Sequence, residues 1–181
     1  MIILLFSIAI FSLLIDMFLM GSVIGYFQKK IKSFDLLRFF MPVVFSFLLL
    51  AIGLYSGNQA AKFFSSYKFW YAATILFIFS LKLMYDGSKL SAIKRTINPI
   101  DKKGLLYLSI LIAINAFFIG LAFGFLELKI VFTLYSFVAL YISIFTGYLI
   151  GFSLKKLIGF KSDLFFAIIY LLISFFIVIK F

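Results

Sequence analysis

Ile15 to Lys30 reads IDMFLMGSVIGYFQKK, and 99 residues later, from Ile114, the chain reads INAFFIGLAFGFLELK. Aligned without gaps, the two copies pair Asp16 with Asn115, Phe18 with Phe117, Gly21 with Gly120, Gly25 with Gly124 and Lys30 with Lys129. Each copy opens with a polar residue and continues into a GxxxG. An acid or amide inside so apolar a stretch carries a free-energy cost and needs a reason.

The surrounding composition supplies the setting. Of 181 residues, 66% are hydrophobic and 13% charged, and the mean hydropathy of +1.25 lies far outside the soluble range. Histidine and cysteine are absent, which removes disulfides, thiolate metal sites and the usual proton shuttle. A bound metal would therefore have to be held by oxygen or methionine sulfur. The net charge of +11 comes from basic residues placed between apolar spans. There, topology and anionic lipid account for them, and nucleic acid is not an expected partner.

A helical span needs roughly 20 apolar residues. Six segments qualify, approximately Ile2–Phe27, Leu36–Tyr55, Phe69–Tyr85, Leu105–Leu126, Ile130–Phe152 and Leu164–Ile179. Unbroken runs of this length exclude a β-barrel. The first lacks a basic leader and a small-residue cleavage pattern, so it reads as a permanent span. Asp16 adds about 3 kcal/mol against insertion, which more than ten Leu, Ile, Phe and Val at about −0.5 kcal/mol each outweigh.

Lysine and arginine then set the orientation. The first connection holds Lys29, Lys30, Lys32 and Arg38, the third Lys89, Lys94, Arg95, Lys102 and Lys103, and the fifth Lys155, Lys156 and Lys161. These three are expected in the cytoplasm, with both termini outside and the chain multi-pass in the cell (inner) membrane. The third connection, Asp86 to Gly104, is the longest, and Asn98–Pro99 breaks it. It divides the chain into a first three-helix repeat (1–88), a connection (89–103) and a second three-helix repeat (104–181). An odd number of spans per half makes the second repeat enter inverted. The expected fold is thus all-α and polytopic, with six transmembrane helices in two inverted repeats.

A second offset, of 94, pairs Gly53 with Gly147, Gly57 with Gly151, Ala73 with Ala167 and Ser80 with Ser174. Eight of the eleven glycines then fall in matched GxxxG pairs, a spacing that brings helix backbones close.

Asp16 is the acid deepest in a span. By inverted symmetry it is expected to meet Asn115 near the midplane, where a carboxylate and an amide carbonyl suit a hard cation. Ser12, one turn before Asp16, and Ser46 in the second span could add neutral oxygens, or bond their own helices. The competing reading of Asp16 and Asn115 is a structural hydrogen bond between helices. Met17 and Met20 read as packing, and Lys82, four residues before Asp86, is expected to snorkel to the cytoplasmic surface. Asp35, Asp86, Asp101, Glu127 and Asp163 lie near span ends or in connections and read as solvated charge. No residues are grouped for nucleophilic or acid–base catalysis, so no enzyme is expected.

These residues resemble the MntP-type manganese efflux pumps of the larger LysE-like transporter group, over nearly the whole chain. That family has six spans in two inverted halves and a motif of Ser, Leu, Asp and Ala in spans one and four. Asp16 and Asn115 fall on its two acidic positions, the second as an amide. IGLYSG at Ile52–Gly57 matches its span-two glycine pattern and puts Ser46 where Glu or Gln is common. KLMYDG at Lys82–Gly87 matches the end of span three, and Lys161, Asp163 and Leu164 the start of span six; Phe166 and Ala167 replace the usual glycine pair. The resemblance implies export of a divalent cation, Mn²⁺ foremost, as cargo with no resident cofactor. Export of another solute on the same fold, or a transport-inactive scaffold, are the alternatives.

Overall fold

The computed structural model describes residues 1–27, 35–96, 102–154 and 162–180. They form α1 (Ile2–Phe27), α2 (Asp35–Phe63), α3 (Lys68–Thr96), α4 (Lys102–Phe125), α5 (Val131–Leu154) and α6 (Ser162–Lys180), with a 3-10 turn at Ser65–Tyr67 between α2 and α3. All six are long and apolar enough to cross a membrane, and no strand occurs among the described residues. In hydrocarbon a helix is the form in which one segment satisfies its own backbone. Runs this apolar therefore become helices whatever their intrinsic propensities.

Two helices run further than the apolar pattern suggests. α2 continues past Tyr55 to Phe63, and α3 past Tyr85 to Thr96, so much of the expected third connection is helical. Helical hydrogen bonding does not require apolar side chains, and Ser56, Asn58 and Gln59 extend α2 beyond the most apolar stretch. Asn98 and Pro99 lie outside the described residues. The α4–α5 connection is a short hydrogen-bonded turn. Leu128 N–H reaches Phe123 O at 3.2 Å and Glu127 N–H reaches Gly124 O at 2.8 Å, with Glu127 at φ 59°, the position where such a helix end usually has glycine. The Asn58 side chain donates to Leu128 O at 3.1 Å and ties this turn to α2.

Apolar side chains face outward as well as inward. Leu134, Val138 and Ile142 on α5, and Phe165, Ile168, Leu172 and Phe175 on α6, form exposed stripes at helical spacing. On a soluble protein such stripes would be a liability; in a bilayer they meet lipid. Tyr67, Trp70, Tyr71 and Tyr135 are exposed at one end of the bundle and Tyr85 and Tyr107 at the other, the placement of interfacial aromatics.

The interior is organised by pairs of helices. α1 lies along α5 in parallel: a methyl group added at Gly21 would strike Ile144 O, one at Gly25 would strike Tyr148 O, and Gly147 and Gly151 press on Phe18 and Ser22. α2 lies along α4 in the same way, with Gly120 and Gly124 against Leu50 and Leu54, and Gly53 and Gly57 against Phe117 and Leu121. In both seams the nearest atoms are backbone. α3 and α6 run antiparallel, held by Ser80 Oγ donating to Ala167 O at 2.8 Å and Ser174 Oγ donating to Ala73 O at 2.9 Å. Each of these contacts has a counterpart that the offsets of 99 and 94 relate to it: Gly21–Ile144 corresponds to Gly120–Leu50, Gly147–Phe18 to Gly53–Phe117, and Ser80–Ala167 to Ser174–Ala73.

Candidate cation site

Helical spacing sets Ser12 and Asp16 one turn apart on one face of α1. That face, with Asn115 from α4, Phe79 and Leu83 from α3, and Asp163 and Phe166 from α6, lines one small cavity. Its volume is about 10 Å³, close to the least that holds a single water, and so the size of one bare ion. Three of the four oxygen-bearing residues expected from sequence thus come together. Ser46 does not line this cavity: it is fully buried on α2, and its hydroxyl finds no hydrogen-bond partner among the described residues. Met17 and Met20 are buried in the core and do not line the cavity either.

The walls are fixed by packing. Phe79 meets the Tyr170 ring edge-on at 4.9 Å and stacks on Phe118 at 5.7 Å, which joins α3 to α4 and α6 at the floor of the cavity. Tyr170, fully buried, donates to Ala9 O at 2.9 Å and also contacts Ser12 Oγ, which itself reaches Ala9 O at 2.8 Å. Two hydroxyl protons serve three contacts, so Ser12 Oγ retains at least one lone pair that is not engaged by a donor. Gly87, at the cytoplasm-predicted end of the apolar span Ser65–Gly87, lets α6 approach: a methyl group there would lie 3.2 Å from Asp163 Cβ.

Two residues carry the largest departures from the sequence expectation. Lys82 does not snorkel outward. Its Nζ donates to Asn115 Oδ1 at 2.7 Å and pairs with Asp86 Oδ2 at 3.1 Å, its side chain only 30% exposed. The helix rotation that puts Phe79 and Leu83 on the cavity carries Lys82 to the same side, and the inward amide and carboxylate hold its charge more closely than the distant surface would. Asp163 sits on the cavity rather than in solvent, because α6 begins at Ser162 and its first turn is drawn against Gly87. The sequence signals were present: Lys82 is followed by an acid at i+4, and Asp163 opens the last span. Neither signal tells which way the helix is turned.

Chemically, the cavity offers the carboxylates of Asp16 and Asp163, the amide of Asn115 and the hydroxyl of Ser12. These are hard oxygen donors of the kind that suit Mg²⁺, Ca²⁺ or Mn²⁺ rather than softer metals. Two carboxylates on one low-dielectric cavity repel unless a cation or a proton stands between them. Among the described residues no cluster of three or more acid, histidine or cysteine side chains is placed to bind a metal.

A family model described as "Putative manganese efflux pump" matches residues 29–178. The chain belongs to the MntP family. The match takes in Lys82, Asn115 and Asp163 and begins after Ser12 and Asp16, which reach the same cavity through α1. As a member of the MntP family the protein is a multi-pass membrane protein of a transporter family rather than an enzyme family. No curated protein and no solved structure matches the chain.

Proposed function

We propose that the protein exports Mn²⁺ across the cell membrane by alternating access of two inverted three-helix halves, 1–88 and 104–181 joined by 89–103, with both termini outside. The observation that carries the reading is the single-ion cavity lined by Ser12, Asp16, Asn115 and Asp163. Its oxygen donors favour a hard divalent cation, and its volume favours a bare ion over an amino acid. Lipid and the transported ion are the partners this requires.

The halves are supported by the reciprocity of the contacts. Ser80 reaches Ala167 as Ser174 reaches Ala73, and Gly21 meets α5 as Gly120 meets α2. Since α3 and α6 run antiparallel, the exchange that relates them turns one half over, as alternating-access transporters do. The lysine-rich connections support the orientation.

One observation favours a transport-inactive scaffold: an ammonium of the protein itself already stands on Asn115. Flux separates the two readings. Purified protein in liposomes is expected to move Mn²⁺, and Asp16→Asn to reduce the rate at least about 100-fold while still folding, since it removes the charge whose desolvation opposes insertion. No Mn²⁺ movement by the parent, or equal flux in Asp16→Asn, would refute the proposal. Ca²⁺, Mg²⁺ and amino acids in the same assay test the cargo.

A further inference from the structure

An ammonium only donates hydrogen bonds, so the 2.7 Å contact from Lys82 takes one of the two lone pairs of the Asn115 carbonyl oxygen and sets a positive charge against it. The other group of the amide, Nδ2, is a donor and repels a metal ion, so a cation can approach Asn115 only at that same oxygen. A cargo cation that takes Oδ1 as a ligand must therefore move Lys82 off it, because two cations sharing one oxygen would stand ~4 Å apart in a low-dielectric site. Lys82 has somewhere to go. Its Nζ is already 3.1 Å from Asp86 Oδ2, one turn further along α3, and it lies 5.8 Å above the centre of the Phe79 ring. Leaving Asn115 costs it one bond but not its counter-charge.

Resting on the cation-export reading, we infer that Lys82 is a tethered competitor for the cargo: it occupies Asn115 when the site is empty and retreats to Asp86 when an ion binds. The consequence is a weakened site. A transported ion must be held tightly enough to enter and loosely enough to leave. Two carboxylates around a 10 Å³ cavity would otherwise hold a divalent ion firmly. The returning lysine replaces the departing ion at Asn115, so the amide is never left without a partner.

The experiment is Mn²⁺ titration of purified protein in detergent, for the parent, Asp16→Asn, Lys82→Met, Asn115→Ala and the Lys82→Met/Asn115→Ala double variant. Lys82→Met is expected to tighten Kd about tenfold or more, the scale of one hydrogen bond to a charged group. In the Asn115→Ala background the same change is expected to give less than about threefold, since the contested oxygen is gone. A purely long-range charge effect would give the same gain in both backgrounds and would overturn the inference, as would an unchanged or weaker Kd in Lys82→Met. If Lys82→Met does not fold, Lys82→Gln carries the same expectation. Failure of the site itself looks different: a parent that binds no Mn²⁺, or that binds it equally well as Asp16→Asn, refutes the export reading and the lysine's role with it.

Discussion

Gly147→Ala tests the α1–α5 seam directly. The added methyl group would stand 2.8 Å from the carbonyl carbon and 3.0 Å from the Cα of Phe18, and closer still to its carbonyl oxygen. Ordinary Cβ contacts begin at 3.4 Å. The opposing atoms are backbone and cannot rotate away, so the helices must part by roughly 0.6 Å or more. A gap of about 0.5–1 Å forfeits a quarter to a half of each dispersion contact, and at about 0.1–0.2 kcal/mol per atom pair a seam of tens of pairs then loses on the order of 1–3 kcal/mol. In a bilayer this is not offset by a hydrophobic force between the helices, because packing is what joins them. Gly87→Ala is the comparison: its new methyl group meets Leu164 Cγ at 3.0 Å and Asp163 Cβ at 3.2 Å, side-chain rather than backbone atoms and at longer range, so α6 need give by only a few tenths of an ångström and a smaller cost than at Gly147 is expected. Unfolding of both variants in detergent with rising SDS, followed by loss of helicity, gives the two costs. If Gly147→Ala costs no more than Gly87→Ala, the close backbone contact between α1 and α5 is wrong.

Ser80→Ala and Ser174→Ala each remove one hydroxyl bond between α3 and α6. Each is expected to lower stability by about 0.6 kcal/mol in the same unfolding assay, and by nearly the same amount; a large inequality would argue against reciprocal contacts. Topology is checked by single cysteines in this cysteine-free chain. Cysteine at Phe63, 84% exposed, is expected to react with an impermeant thiol reagent from outside, and cysteine at Lys103 only after the membrane is opened. Gly57 is unsuitable for this purpose, since it packs against Leu121 and Gly124.

The membrane class, the six helices and the residues of the tight seams were legible in the sequence because each rests on a local rule. Hydrocarbon demands about 20 apolar residues per span and a self-satisfied backbone, and close backbone approach demands a small residue such as glycine. The matched offsets even identified Ala73, Ala167, Ser80 and Ser174 as equivalent positions. They did not say that each serine bonds the other half's alanine carbonyl, nor that Gly21 faces α5 rather than its sequence counterpart Gly120. Equivalence in sequence says which positions match, whereas contact depends on how the helices are placed against one another.

The site divides along the same line. Asp16 stood out alone, because a carboxylate in mid-span is conspicuous in a chain with six acids. Ser46 was equally plausible by depth, yet its hydroxyl is buried away from the cavity, whereas Asp163, at the very start of its helix, lines it. Each residue turns a helix by 100°, so an unknown rotation of one or two residues moves a side chain from lipid to core. Hydropathy does not fix that rotation in helices that are apolar on every side. What the sequence determined was that this chain must cross a bilayer as six helices, with a polar residue held in mid-span. Glycine packed against backbone along α1–α5 and α2–α4, and the Ser80 and Ser174 bonds between α3 and α6, fixed the rotations, and only that tertiary packing decided that Lys82 turns inward to Asn115 and that Asp163 joins Asp16 around a space for one ion.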